Sequence, residues 1–213
     1  MADRISEIKE AVIDGMQKVV PGKVQQALDE GIGPETILNE AMINGMAEVG
    51  QLFEDGEFFV PEMLVAARAM AAGMEVLKPY LQQADIKATG KVILGTVQGD
   101  LHDIGKNLVG MMLEGAAFEV IDLGTDVPPE KFVAAVKESG AQIVAMSALL
   151  TTTMPAMKTT IEALENAGVR DQIKIMVGGA PLSDQYAKEI HADGYSPDAN
   201  RAVSLAKSLI AAA

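Results

Sequence analysis

The hydrophobic period of this chain changes once, near residue 90, and a chain that changes period folds as two modules of different architecture. Ahead of the change the spacing is helical throughout. Ile5, Ile8, Val12, Met16 and Val19 form one stripe, which Pro21-Gly22 is predicted to close. Val24, Ala27 and Leu28 form a short second stripe ending at Gly31 and Gly33. Pro34 stands where a first helical residue would, ahead of Ile37, Ala41, Met42, Met46 and Val49. A turn-rich stretch over 51–60 leads to Pro61 and the stripe Met63, Leu64, Ala67, Met70, Ala71, Met74 and Leu77, with Pro79 as its predicted stop. Four helices with short connections predict a small bundle. Residues 81–90 lose the period and read as a linker, so the predicted modules are 1–85 and 86–213.

In the second module, short apolar runs over 91–97, 118–123, 142–148, 173–177 and, weakly, 192–196 alternate with helical spacing. The helical stretches lie near 104–116, 129–139, 154–167, 183–190 and 198–211. Such a β-α repeat predicts a five-stranded parallel sheet with helices on both faces.

Composition narrows what this pair of modules does. Hydrophobic residues make up 49% of the chain but aromatics only 4%, so the core rests on aliphatic side chains and 13 Met. Methionine adapts to large, irregular apolar partners as well as to ordinary cores. A formal charge of -13 opposes binding to nucleic acid or to an anionic membrane surface. The absence of Cys removes disulfides, thiolate metal sites and cysteine nucleophiles. The first residues are charged, unlike a signal peptide, and no apolar run reaches spanning length, so a soluble cytoplasmic protein is expected.

In open α/β sheets, ligands bind beyond the carboxyl ends of the strands. After the first predicted strand comes Gln98-Gly99-Asp100-Leu101-His102-Asp103-Ile104-Gly105-Lys106-Asn107, and after the second Gly124-Thr125-Asp126. Ser147, Leu149, Thr151 and Thr153 follow the third strand, and Gly178-Gly179 the fourth. The His102 loop fails as a phosphate loop, because Asn107 replaces the required Ser or Thr. It is a poor zinc site, with two His in the chain and no thiolate. A hard-cation site on Asp100 and Asp103 stays open. So does a single imidazole offered to a metal whose other ligands belong to a cofactor, with Asp100 accepting the second ring N–H. Taken singly, Ser147, Thr151 and the paired glycines also have ordinary turn and strand-end uses. His191 reads as a surface or structural residue.

Asp100-x-His102-x-x-Gly105, followed in order by Ser147-x-Leu149 and Gly178-Gly179, resembles the cobalamin-binding domain shared by methionine synthase, corrinoid mutases and small corrinoid methyl carriers. Phe53-Glu54-Asp55-Gly56 with Phe59-Val60-Pro61-Glu62-Met63-Leu64 resembles the helical cap of the methyl-transferring members. The whole chain is similar to the small corrinoid proteins of methyltransferase systems. That resemblance implies a four-helix-bundle cap followed by a Rossmann-like, flavodoxin-like doubly wound sheet. It implies a cobalamin, as methylcobalamin or a related corrinoid, bound with its own base detached and with His102 as lower axial ligand to cobalt. Asp100 would hydrogen-bond His102, and Thr153 stands where the family often has a Ser completing the relay. Gly99, Asp103 and Ile104 would line the loop, and the nucleotide tail would pass Gly105, Ser147, Leu149, Thr151, Gly178 and Gly179. Phe59, Val60, Met63 and Met70 would contact the methyl-bearing face, with 81–90 as a hinge. The implied role is a non-catalytic carrier subunit. It would take a methyl group from a substrate-specific methyltransferase to a second methyltransferase acting on coenzyme M or tetrahydrofolate, with a reductive activase as a further partner. A radical-mutase subunit and a corrinoid-dependent sensor are the alternatives.

Overall fold

The alternating runs of the second module become a sheet of five parallel strands in the order β2-β1-β3-β4-β5. The computed structural model describes residues 2–84 and 88–212. The strands are β1 (Gly90–Thr96), β2 (Phe118–Asp122), β3 (Ile143–Ser147), β4 (Lys174–Gly178) and β5 (Gly194–Ser196). Each lies within two residues of its predicted place. The helices between them are α6 (Ile104–Gly115), α7 (Pro129–Ser139), α8 (Met154–Asn166) and α9 (Asp184–Glu189), and α10 (Ala199–Ala211) follows β5.

The strand period of two divides the apolar side chains between the faces. Ile93, Val144, Met146, Ile175 and Val177 turn to one face, packing with Phe132 and Val136 of α7 and Met157, Ile161 and Leu164 of α8. Each such buried side chain contributes about 1.5–3 kcal/mol relative to exposure. Leu94 faces the other way, towards α6, where a Cβ added to Gly110 would lie 3.1 Å from its Cδ2. On that face Gly194 lets β5 approach Leu205 of α10, whose Cδ1 lies 2.7 Å from the position of a Cβ. The sheet is doubly wound. Because β1 sits between β2 and β3, the chain leaves β1 and β3 in opposite directions, and a crevice opens at their carboxyl ends.

The first module is helical, with α1 (Ala2–Ile13), α2 (Val20–Asp29) and α5 (Val60–Gln83). Between the last two, α3 (Pro34–Thr36) runs without a break through a π-helical segment, Ile37–Ile43, into α4 (Asn44–Glu54). Ile8, Val12, Val24, Ile37, Met42, Val49 and Leu77 are buried. Two proline readings need correction. The first helix stops at Ile13 rather than at Pro21, because Gly15 turns the chain at φ +65. Pro21 then lies in the first turn of α2, where its missing N–H costs no helical bond. Nor does Pro79 stop the last helix, which continues to Gln83. Leu77 and Leu81, four residues apart, are both buried, and that burial outweighs one lost backbone bond.

By compactness the chain divides into Met1–Ala88 with Glu114–Ala117, and Thr89–Leu113 with Phe118–Ala213. The boundary predicted between 85 and 86 lies outside the described residues, while the predicted linker is helical at its start and strand at its end. No described helix is long and apolar enough to cross a membrane.

Candidate cofactor site

Asp100 organises the carboxyl edge of the sheet. Its side chain is fully buried, yet it faces five hydrogen-bond donors. Oδ1 accepts the His102 backbone N–H at 3.0 Å and the His102 Nδ1–H at 2.7 Å. Oδ2 accepts the Leu149 N–H at 2.8 Å and the Thr153 hydroxyl at 2.6 Å, with the Leu150 N–H a longer third donor at 3.4 Å. The two oxygens of an ionised carboxylate offer about four lone-pair sites, and all four are in use. Burial by itself would push this carboxyl up. The Thr153 hydroxyl, the Leu149 N–H and the two His102 donors outweigh burial and hold it well below the usual carboxylate range.

The imidazole follows from this arrangement. With Nδ1–H committed to an ionised acceptor, the neutral ring keeps its lone pair on Nε2. The His102 side chain is 50% exposed, so that lone pair is accessible. Thr96, buried at the end of β1, donates its hydroxyl to the His102 carbonyl at 2.9 Å and fixes the loop from below. Thr153 stands at the N-terminus of α8, and its hydroxyl extends the chain of bonds from His102 through Asp100. Its alternative acceptor, the Leu150 carbonyl, lies at 2.9 Å.

The remaining predicted residues fall around this hub. Gly99 takes φ +84, and Asp103 accepts from the Asn107 amide at 3.1 Å. Ile104 is exposed, as are Leu101, Leu149 and Leu150, so the two loops joined through Asp100 carry four exposed large apolar side chains. A side chain on Gly105 would meet nothing within 4 Å. Ser147 pairs with Thr96 and Gly178 across the strand ends, and Thr151 is exposed on the β3–α8 loop. Gly179 has φ +137, and a Cβ there would lie 1.8 Å from the Ala148 carbonyl oxygen, so the backbone approach demands glycine. Phe59, Met63 and Met70 belong to the helical unit, where Phe59 is exposed and Met63 and Met70 are buried. His191 is exposed, at φ +60.

Three contributors were given no role from the sequence: Thr96, Asp126 and Lys106. Lys106 is buried, donates to Asn107 Oδ1 at 2.7 Å and pairs with Asp122. A lysine in the first turn of a helix ordinarily reads as solvated, and no sequence signal marks this one. Asp126 stood among the loop residues after β2, but nothing in its spacing gave it a task.

These residues suit a corrinoid. Among the described residues no group of three or more His, Cys, Asp or Glu could hold a metal ion by itself. A half-exposed imidazole with one nitrogen uncommitted, on loops that carry exposed apolar side chains, fits a metal that brings its other ligands within a large apolar cofactor.

Comparison with known proteins agrees over both modules. A B12 binding domain family model matches residues 90–204, and another of the same description matches residues 4–78. The chain is 44% identical over 208 residues to the trimethylamine corrinoid protein of Methanosarcina barkeri, spanning 97% of this chain and 96% of that one. It is 42% identical over 209 residues to a corrinoid protein of Desulfitobacterium hafniense, spanning 97% of each. A chain of the solved methanol:cobalamin methyltransferase complex from Methanosarcina barkeri aligns with TM-score 0.88 and 32% identity, covering 99% of this chain and 81% of that one. The chain therefore belongs to the family of B12-binding corrinoid proteins, and its cofactor is a cobalamin-type corrinoid.

Proposed function

We propose that this protein is a methyl carrier that binds its corrinoid with the cofactor's base displaced and His102 Nε2 in the lower axial place. The observation carrying this reading is the 2.7 Å bond from His102 Nδ1 to the buried Asp100 carboxylate, which leaves the other nitrogen available. When bound, the corrinoid supplies a cobalt centre that accepts and gives up a methyl group. The protein supplies position and electronics. Asp100 raises the donor strength of the imidazole while it ligates. Asp100 would keep its bond to the Nδ1–H whether Nε2 holds the metal or is free of it. Thr153 and the Leu149 N–H keep the carboxylate ionised through both states.

On this reading the partners are two methyltransferases. One is specific for a methylated donor of the kind named for the relatives, an amine or methanol; the other passes the group to coenzyme M or tetrahydrofolate. A reductive activase restores the carrier. Of the residues expected at the methyl-bearing face, Phe59 has an exposed side chain to offer, whereas Met63 and Met70 are buried.

Electron paramagnetic resonance of the cob(II)alamin-loaded protein, with histidine labelled by ¹⁵N, tests the ligand. A superhyperfine pattern that changes from triplet to doublet on labelling supports His102, and His102→Ala should abolish it without unfolding the chain. A triplet unchanged by labelling would overturn the assignment. The carrier role fails if no methyl group reaches the bound corrinoid from trimethylamine-, dimethylamine- or methanol-specific methyltransferases.

A further inference from the structure

Asp126, in the loop between β2 and α7, grips the His102 loop at two points. Its Oδ1 accepts the Gly99 N–H at 2.7 Å, and its own N–H donates to the Asp100 carbonyl at 2.9 Å. The two bonds bracket the Gly99–Asp100 peptide from the side opposite the β3–α8 loop. The neighbouring backbone is joined in the same register, with Thr96 N–H to the Gly124 carbonyl and Val127 N–H to the Thr96 carbonyl, both at 3.0 Å. To reach this position Asp126 adopts φ +51, a left-handed conformation that Asp and Asn accept more readily than other side chains. The other backbone bond of Asp100, from its N–H to the Val97 carbonyl at 3.1 Å, stays within its own loop. The Asp100 carboxylate is thus held by β3–α8, whereas its backbone is tied across to β2–α7 through Asp126.

We infer that Asp126 is a positioning residue for His102: it fixes the Gly99–Asp100 peptide so that the Asp100 carboxylate takes the Nδ1–H and leaves Nε2 free. This deepens the reading of His102 as the cobalt ligand and rests on it. Asp126 touches neither His102 nor the cofactor in this role. It acts through backbone geometry alone.

Two substitutions in the full chain separate its contributions. Asp126→Gly keeps the left-handed conformation and removes the acceptor, whereas Asp126→Asn keeps both. Imidazole ¹⁵N NMR of the cofactor-free protein reads the tautomer directly. Wild type and Asp126→Asn should show Nδ1 protonated and Nε2 bare. Asp126→Gly should move both nitrogens towards averaged values and raise Gly99 amide exchange at least about tenfold. In the cob(II)alamin form, Asp126→Gly should lose at least about half of the ¹⁵N-dependent splitting, while Asp126→Asn keeps it. Faster Gly99 exchange with an unaltered His102 tautomer would overturn the inference, and so would an Asp126→Asn variant as impaired as Asp126→Gly. If the wild-type chain shows no ¹⁵N-dependent splitting, the ligand assignment falls, and the cofactor-free tautomer measurement still decides the role of Asp126.

Discussion

Replacing Asp100 by Asn removes a charge while barely changing shape, and the geometry forbids a clean accommodation. The carboxylate accepts from the His102 N–H and Nδ1–H on Oδ1, and from the Leu149 N–H and Thr153 hydroxyl on Oδ2. An amide has one accepting oxygen and one NH₂ that can only donate. With its oxygen towards His102, the NH₂ faces Leu149 N–H. Thr153 can turn its hydroxyl to the Leu150 carbonyl, 2.9 Å away, but the Leu149 N–H has no such recourse. With its oxygen towards Leu149, the NH₂ faces the His102 backbone N–H and drives the ring to the Nε2–H tautomer, which cannot ligate. Either way one part-buried N–H loses its acceptor, at about 1–3 kcal/mol, and the remaining bonds lose their charge assistance. The expected loss is about 3 kcal/mol, a large part of a typical domain stability of about 5–15 kcal/mol. Because the chain has two compact units, native-state hydrogen exchange of the β3 and β4 amides is the appropriate assay. A loss below about 1 kcal/mol, or unimpaired imidazole ligation of cob(II)alamin, would refute the reasoning.

Thr153→Val takes one donor from the Asp100 carboxylate at nearly constant volume, and should cost about 1.5–3 kcal/mol by the same exchange assay, with Thr153→Ser close to wild type. The two variants behaving alike would contradict the relay. Gly179→Ala places a Cβ against the Ala148 carbonyl at a φ of +137 and should cost about 3 kcal/mol or more, a fall of about 6–12 °C in melting temperature. A fall under about 2 °C would show that the loop yields freely. The folded-state pKa of Asp100 is lowered, so its contribution to stability is complete above the unfolded carboxylate range, near 3.9, and drains away as pH falls towards the folded value. The stability gap between wild type and Asp100→Asn should therefore be flat from about pH 8 to 5 and narrow below about pH 4. A gap that stays constant down to pH 3 would contradict an ionised Asp100 in the native state.

The sheet was legible because β-α alternation and helix spacing are local signals, and each predicted strand has its counterpart within two residues. The bundle was harder, since Pro21 and Pro79 carry opposite local meanings that tertiary burial decides. Pro21 opens a helix, whereas Pro79 is carried through by Leu77 and Leu81. The π-helical turn over Ile37–Ile43 left no trace in the apolar pattern. In the site, the motif around His102 was readable because its residues are close in sequence. Thr153 received its role through resemblance, and Asp126 entered only as a loop residue after the second strand, with no role. Their bonds span separations that no spacing rule encodes, 53 residues from Thr153 to Asp100 and 27 from Asp126 to Gly99.

The spacing of two between Asp100 and His102 has a physical reason. An Asp side chain reaches the backbone N–H two residues on, closing a local turn around its own carboxylate oxygen. Here that Oδ1 also takes the Nδ1–H of the same histidine, so one atom sets both the backbone and the ring of His102. At a spacing of one or three the carboxylate could meet the ring or the backbone, but the turn would not deliver both to one oxygen. A Glu at position 100 would add a methylene and a rotatable bond to a side chain that is fully buried and whose lone pairs are all in use. The short pattern is therefore a statement about tautomer. Thr153 holds the other oxygen of that carboxylate, and Asp126 the backbone on which it stands, so on the proposed reading both bear on which imidazole nitrogen stays bare.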